Sequence, residues 1–449
     1  MRPAVRGIAV AWSLAALAVT SWAHGQESPA AEQIPSRPGV DAPELAAPGA
    51  SPVGFRRLTL SQPDQLDVLT VDANTGVGLR RARTLEVWIW YPAQAASGPP
   101  MRYAGELTSE PPAPPAKFTT PGIAVADAPP ASGGRRPLVI VSHGYGNVPA
   151  AMTWLPENLA SKGYIVAVIA HGDPPYGDRT KVAEVIMRRP LDIAFVAHSL
   201  LSGAHSADPL LSRIDPEQLA LVGYSMGGYG VITCAGVALD PQAYAVHSVP
   251  GRALAPYAEG GPLSPALRVP GVKAVVAIAP YGGTENTRAW SARALGHLRL
   301  PLLLIDGDQD QTVGFEGVRW IFDQAQHAER ALLVYENAGH SIGLNPAPAG
   351  MRERLWDLDW FEDPVWRARR INAINLHFIT AFLDLNVRGM RARVSYLDVT
   401  PPTKAVEGAW PKDLTKYAAF SPGGPGLVWK GFQKRHVAGL ELYRESPAD

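Results

Sequence analysis

The chain has 449 residues, and its 41 Lys and Arg balance 41 Asp and Glu. That neutrality leaves no basic excess for nucleic acid or an anionic membrane surface. A single cysteine, Cys234, excludes an intramolecular disulfide and any cysteine-rich metal site, and it reads as a small buried apolar residue.

The first residues read as a targeting segment. Arg2 and Arg6 precede the apolar run Gly7 to Thr20, and Ser21-Trp22-Ala23 offers a small-x-small cleavage site before His24. Residues 1–23 are therefore expected to be a signal peptide that sends the protein to the periplasm or outside the cell. The run is short for a membrane span; an uncleaved anchor is the alternative. Residues 24–55, rich in Ala, Pro and Ser, read as a disordered linker. Thr84 to Pro92 reads as an early strand, and residues 93–135 return to Pro, Ala and Gly as a surface excursion.

From Pro137 the pattern becomes short apolar strands alternating with helices. Strands are expected at Pro137–Ser142, Tyr164–Ala170, Leu219–Tyr224, Val272–Ala279, Pro301–Ile305 and Ala331–Tyr335. Helices are expected near Ala150–Lys162, Lys181–Ser202, Gly228–Val237, Arg288–His297 and Gly314–Gln326, with a final one over 371–386. Such alternation predicts a mostly parallel sheet with helices on both faces. Functional groups then collect at the carboxyl ends of the strands.

The strand at Leu219 runs into Gly223-Tyr224-Ser225-Met226-Gly227, a G-x-S-x-G turn before a helix. The sharp strand-to-helix turn exposes a serine hydroxyl and leaves the Met226 N–H at a helix N-terminus. A serine nucleophile needs a base, and the base an orienting carboxylate. Both follow on later strand ends. Asp310 is the preferred acid in Asp306-Gly307-Asp308-Gln309-Asp310, with Asp306 and Asp308 as rivals, and His340 lies in Gly339-His340-Ser341. The order Ser, Asp, His is that of α/β-hydrolases. The Asp-rich loop does not fit an EF-hand, since Gln311 and Gly317 stand where Gly and Glu are needed. The turn His143-Gly144-Tyr145 is placed to supply a second oxyanion donor, the Tyr145 N–H, beside that of Met226. His171 reads as structural or substrate-lining, and His377 as packing.

At this point the chain resembles a family. Trp90-Tyr91-Pro92, Ser142-His143-Gly144-Tyr145-Gly146, Arg189-Pro190-Leu191-Asp192-Ile193, Ile214-Asp215-Pro216 and the elbow are similar to those of α/β-hydrolases. The nearest resemblance is to predicted dienelactone hydrolases and bacterial relatives of platelet-activating-factor acetylhydrolase, over residues 80–390. Dienelactone hydrolases use cysteine where this chain has Ser225. The acetylhydrolases carry the acid one strand earlier, where Ala279-Pro280-Tyr281-Gly282-Gly283 has no aspartate. The elbow is also similar to that of bacterial cutinases and polyester hydrolases.

The resemblance implies an α/β-hydrolase fold over residues 56–390, with insertions near 241–269 and 345–370 and an extension, 391–449, packed on the domain. The aromatics Trp356, Trp360, Phe361 and Trp366 either wall an acyl pocket or pack an accessory helix. The expected activity is cleavage of a small-molecule or lipid-like ester by Ser225, Asp310 and His340, needing no metal or organic cofactor. Alternatives are an amidase or exopeptidase with the same triad, or a non-catalytic binding protein on a hydrolase scaffold.

Overall fold

The computed structural model describes residues 33–95, 97–176, 181–203, 207–242, 249–399, 429–433 and 436–448. The expected signal peptide lies outside them, as do the start of the expected linker and 400–428 of the expected extension. The strands are β1 (Val53–Leu66), β2 (Arg80–Pro92), β3 (Pro100–Leu107), β4 (Ala116–Ala126), β5 (Arg136–Ser142), β6 (Ile165–Ala170), β7 (Ile214–Tyr224), β8 (Val272–Ile278), β9 (Leu302–Gly307), β10 (Arg330–Tyr335) and β11 (Leu440–Glu445). They form one 11-stranded sheet in the order β11-β10-β9-β8-β7-β5-β6-β2-β1-β4-β3.

From β6 to β10 every neighbouring pair is parallel. These strands are apolar at nearly every position because helices cover both faces, so inward and outward residues alike leave water. The helices are α1 (Trp154–Ser161), α2 (Val182–Leu201), α3 (Met226–Cys234), α4 (Ala292–Gly296), α5 (Phe315–Gln324), α6 (Leu355–Asp359), α7 (Ala368–Asn386) and the short α8 (Val394–Leu397). The architecture is the α/β-hydrolase fold. No helix among the described residues is long and apolar enough to cross a membrane.

The helices that carry functional loops are tied to one another through polar atoms. Pro190 lies inside α2 and has no N–H, so the Ile186 carbonyl loses its helical donor. The Tyr229 hydroxyl of α3 donates to that carbonyl at 3.2 Å, and Cys234, buried as expected, places its thiol 3.3 Å from the Pro190 carbonyl.

Three expectations are corrected. Residues 34–52 of the expected disordered linker are packed, and β1 begins at Val53. The segment has few large apolar groups, but α1 holds it by hydrogen bonds. Ser36 Oγ donates to Glu157 Oε2 at 2.6 Å, and Asn158 Nδ2 donates to the Ser36 and Ala46 carbonyls at 3.0 Å each. Residues 93–135 are not a mere excursion, because β3 and β4 pair antiparallel and the end of β4 joins the start of β1. The inward positions of β4 are Phe118, Thr120, Gly122 and Ala124, so its burial alternates while its hydrophobicity does not. The third correction concerns the elbow helix, which begins at Met226 rather than Gly228.

Candidate active site

Ser225 sits between β7 and α3 with φ of 54° and ψ of −116°, a left-handed conformation that costs a non-glycine residue energy. The turn fits only because its flanking glycines have no side chains. A Cβ on Gly223 would run into the Gly227 carbonyl, and one on Gly227 would run into the Ser142 carbonyl at the end of β5. Helix α3 starts at Met226, whose N–H therefore has no carbonyl of a preceding turn to meet.

Asp310, His340 and Ser225 are brought into one chain of contacts. The loop after β9 places Asp310 Oδ2 2.6 Å from His340 Nδ1, and His340 Nε2 is 3.1 Å from Ser225 Oγ. The other Asp310 oxygen accepts the Thr312 and Val313 N–H groups at 2.8 and 3.1 Å. Burial pushes the Asp310 carboxyl up, but His340 and these donors outweigh it, and the group lies below its usual range. The geometry also separates Asp310 from its rivals. Asp308 turns away and accepts the Asn337 N–H at 2.6 Å. Asp306 is fully buried, and desolvation together with the neighbouring Asp310 charge raises its carboxyl well above the usual value.

The His340 loop is fixed from several sides. Gly339 N–H donates to Asp363 Oδ2 at 2.7 Å. Asn375 and Asn372 of α7 donate to the Ile342 and Leu344 carbonyls at 2.9 and 3.0 Å. The 2.8 Å bond from Ile342 N–H to the His340 carbonyl tightens the turn itself. Sequence reading alone missed the supports from Asp363, Asn372 and Asn375, since each joins residues distant in the chain.

Ser225 and His340 open into a cleft of about 320 Å³, whose lining includes Tyr145, Tyr176, Trp356 and Trp360. Tyr176 stands 5.7 Å from Tyr145 and 5.1 Å from Trp360, ring to ring. The Trp356 and Trp360 indoles both donate to the Thr108 carbonyl, at 3.1 and 2.9 Å, which fastens this wall to the end of β3. The four aromatics of the 345–370 insertion thus divide. Trp356 and Trp360 line the cleft, Phe361 packs on Phe118 at 5.4 Å, and Trp366 packs on Tyr335 at 5.1 Å. Tyr176 was missed in the sequence, although an aromatic residue just past a strand end was a signal for it. No described residue of the other insertion, 241–269, lines the cleft; its Tyr257, Leu263 and Ala266 border a separate cavity beside α2.

Of the two expected oxyanion residues, Tyr145 lines the cleft beside Ser225, and Met226 directly follows the serine. His171 is buried away from the cleft, hydrogen-bonded to Ser142 and Asp192. His377 is buried among Phe378, Tyr396 and Phe432. Among the described residues no group of three or more His, Cys, Asp or Glu could hold a metal ion.

A PET hydrolase-like family model matches residues 122–250, a stretch that includes Tyr145 and Ser225 but ends before Asp310 and His340. Cutinase 2 of Thermobifida cellulosilytica is 27% identical over 172 residues, 38% of this chain and 47% of that protein. Cutinase cut1 of Thermobifida fusca is also 27% identical over 172 residues, 38% of this chain and 39% of that protein. The match thus spans less than half the length of these curated relatives. A solved ferulic acid esterase from Streptomyces cinnamoneus is 22% identical with a TM-score of 0.49, covering 78% of this chain and 94% of that one.

Proposed function

We propose that this chain, a member of the α/β-hydrolase superfamily, is a serine hydrolase of carboxylic esters. The observation that carries the reading is the unbroken contact from Asp310 through His340 to Ser225 at the mouth of an aromatic-walled cleft. The cutinase-like relatives support ester chemistry.

In this reading Ser225 Oγ attacks the ester carbonyl while His340 Nε2 takes its proton. Asp310 accepts from Nδ1, which fixes the tautomer and stabilises the imidazolium. The carbonyl electrons move onto oxygen, and the Tyr145 and Met226 N–H groups receive that oxyanion. Collapse breaks the bond to the alcohol, which leaves with the proton from His340. A water then gives a proton to His340 and attacks the acyl carbon. The second collapse releases the acid and returns the proton to Ser225. The cleft wall of Tyr145, Tyr176 and Trp360 suits an ester with an apolar or aromatic group. The basic, apolar and small-residue pattern of residues 1–23 supports export.

The test is hydrolysis of p-nitrophenyl esters by the purified protein, with Ser225→Ala as control. Ser225→Ala turning over as fast as the native protein would falsify the assignment. Aminoacyl anilides run in parallel separate an esterase from an amidase. Labelling by a fluorophosphonate separates both from a scaffold that only binds.

A further inference from the structure

A second Ser, His and Asp set lies beneath the turn that carries Tyr145, and all three residues are almost fully buried. Ser142 Oγ is 2.9 Å from His171 Nε2, and His171 Nδ1 is 2.9 Å from Asp192 Oδ2. Arg83 closes the array with two 2.7 Å bonds to the Asp192 carboxylate and a third to the His171 carbonyl. Burial drives His171 down to about 4, so its ring is neutral at pH 7. With Nδ1 facing a carboxylate, Nδ1 carries the proton, and Nε2 accepts from Ser142. This set lines no part of the cleft, and the serine is closed off from any substrate.

What the array does touch is the turn from Ser142 to Asn147. The His171 N–H points at His143 Nε2 at 3.4 Å, and His143 Nδ1 lies 2.8 Å from the Gly144 carbonyl. Two residues past His171, Asp173 Oδ2 accepts the Gly146 N–H at 3.1 Å. The same oxygen pairs with Arg189, whose side chain is wholly buried. Gly146 has φ of 66°, and a Cβ there would crowd Tyr176. The Gly144 carbonyl and the Gly146 amide, on either side of Tyr145, are therefore held by His143 and Asp173, which are themselves held by His171, directly after β6, and by Arg189 of α2. The front of the turn packs on the elbow, where a Cβ on Gly144 would lie 3.3 Å from that of Ser225.

We propose that Ser142, His171 and Asp192, with Asp173 and Arg189, are positioning residues that hold the Tyr145 N–H at the distance an oxyanion requires. This rests on the esterase reading above, and it gives the Arg189-Pro190-Leu191-Asp192 motif and His171 a role that packing alone does not. Arg189 and Asp192 leave the same turn of α2, one toward Asp173 and the other toward His171, so one rigid helix sets both grips. A misplacement of about 1 Å can cost about 100-fold in rate, and loss of one oxyanion donor about 100- to 1,000-fold.

The experiment compares the native full chain with Ser142→Ala, which removes one hydroxyl without changing charge, and Asp173→Asn, which weakens the grip on Gly146. Ser142→Cys, nearly isosteric with a weak donor, is the conservative rescue. Amide hydrogen exchange over residues 144–147 is expected to rise at least about 10-fold in Ser142→Ala and Asp173→Asn, with β8 and β9 unchanged. In the same two variants kcat is expected to fall about 10- to 100-fold with KM within about threefold. Affinity for a boronic acid that mimics the tetrahedral adduct falls in step, and Ser142→Cys recovers part of each loss. Native exchange at 144–147, or faster exchange spread evenly through the sheet, overturns the proposal. So does a kcat loss that disappears when rates are compared per folded molecule. A native protein that neither hydrolyses esters nor reacts with fluorophosphonate overturns the esterase reading instead, while exchange at 144–147 still decides the grip on the turn.

Discussion

The Tyr224 ring lies stacked on the His340 imidazole, with centroids 5.2 Å apart and planes 26° apart, and its hydroxyl donates to the His340 carbonyl at 3.0 Å. The residue before the nucleophile is thus the floor on which the base rests. Tyr224→Phe keeps the ring and loses the bond, and it is expected to lower kcat about 3- to 10-fold, a loss of roughly 1 kcal/mol for one hydrogen bond. Tyr224→Ala also empties a buried volume and should cost stability by about 3–5 kcal/mol. Steady-state kinetics and thermal melts separate the two effects.

The acid loop makes a sharp comparison. Asp310→Asn is expected to reduce kcat by about 10,000-fold, because the amide cannot hold the productive tautomer of His340. Asp308→Asn keeps an acceptor for Asn337 and should stay within about threefold of native. His340 contacts Asp310 and not the buried Asp306, whose carboxyl burial pushes well up, so Asp306→Asn should leave the pH profile of kcat unmoved. Equal losses from Asp308→Asn and Asp310→Asn would sink the assignment of the acid.

Trp360→Ala opens the cleft wall without touching the triad. Its expected effect is a rise in KM of about 5- to 10-fold for esters with aromatic or long acyl groups, for loss of roughly 1–1.5 kcal/mol of apolar contact. Acetyl esters should change little. A chain-length series with p-nitrophenyl esters reads this directly.

Lys162 reports on the packed segment 34–52. Its ammonium donates to the Leu45 carbonyl at 2.5 Å and to Thr380 Oγ1 at 2.8 Å, and burial pulls its pKa from 10.5 down to about 7. The folded value lies below the unfolded one, so between about 7 and 10.5 the unfolded chain binds more protons and stability rises with pH. The slope is at most about 1.4 kcal/mol per pH unit. Lys162→Met removes this contribution. The change in melting temperature from pH 7 to pH 9 should therefore be less positive in the variant than in the native protein, and identical changes would contradict the burial of the amine.

The sequence by itself determined the central sheet and the order Ser225, Asp310, His340. Strands buried on both faces write themselves as apolar runs, and a turn as sharp as that at Ser225 admits only glycine at Gly223 and Gly227. These constraints act over a few residues, so a local pattern reveals them. Other features escaped the sequence because they depend on which groups meet after folding. The sequence preferred Asp310 but left Asp306 and Asp308 as rivals; only the tertiary structure shows that Asp310 meets His340 while Asp308 turns to Asn337 and Asp306 is buried at the end of β9. It also divided Trp356 and Trp360 from Trp366. The strand β4 was hidden because Thr120, Gly122 and Ala124 fill its inward positions. The array under the Tyr145 turn joins Arg83 to Asp192 across 109 positions, and the buried carboxylate of one is matched by the guanidinium of the other only when β2 and α2 meet.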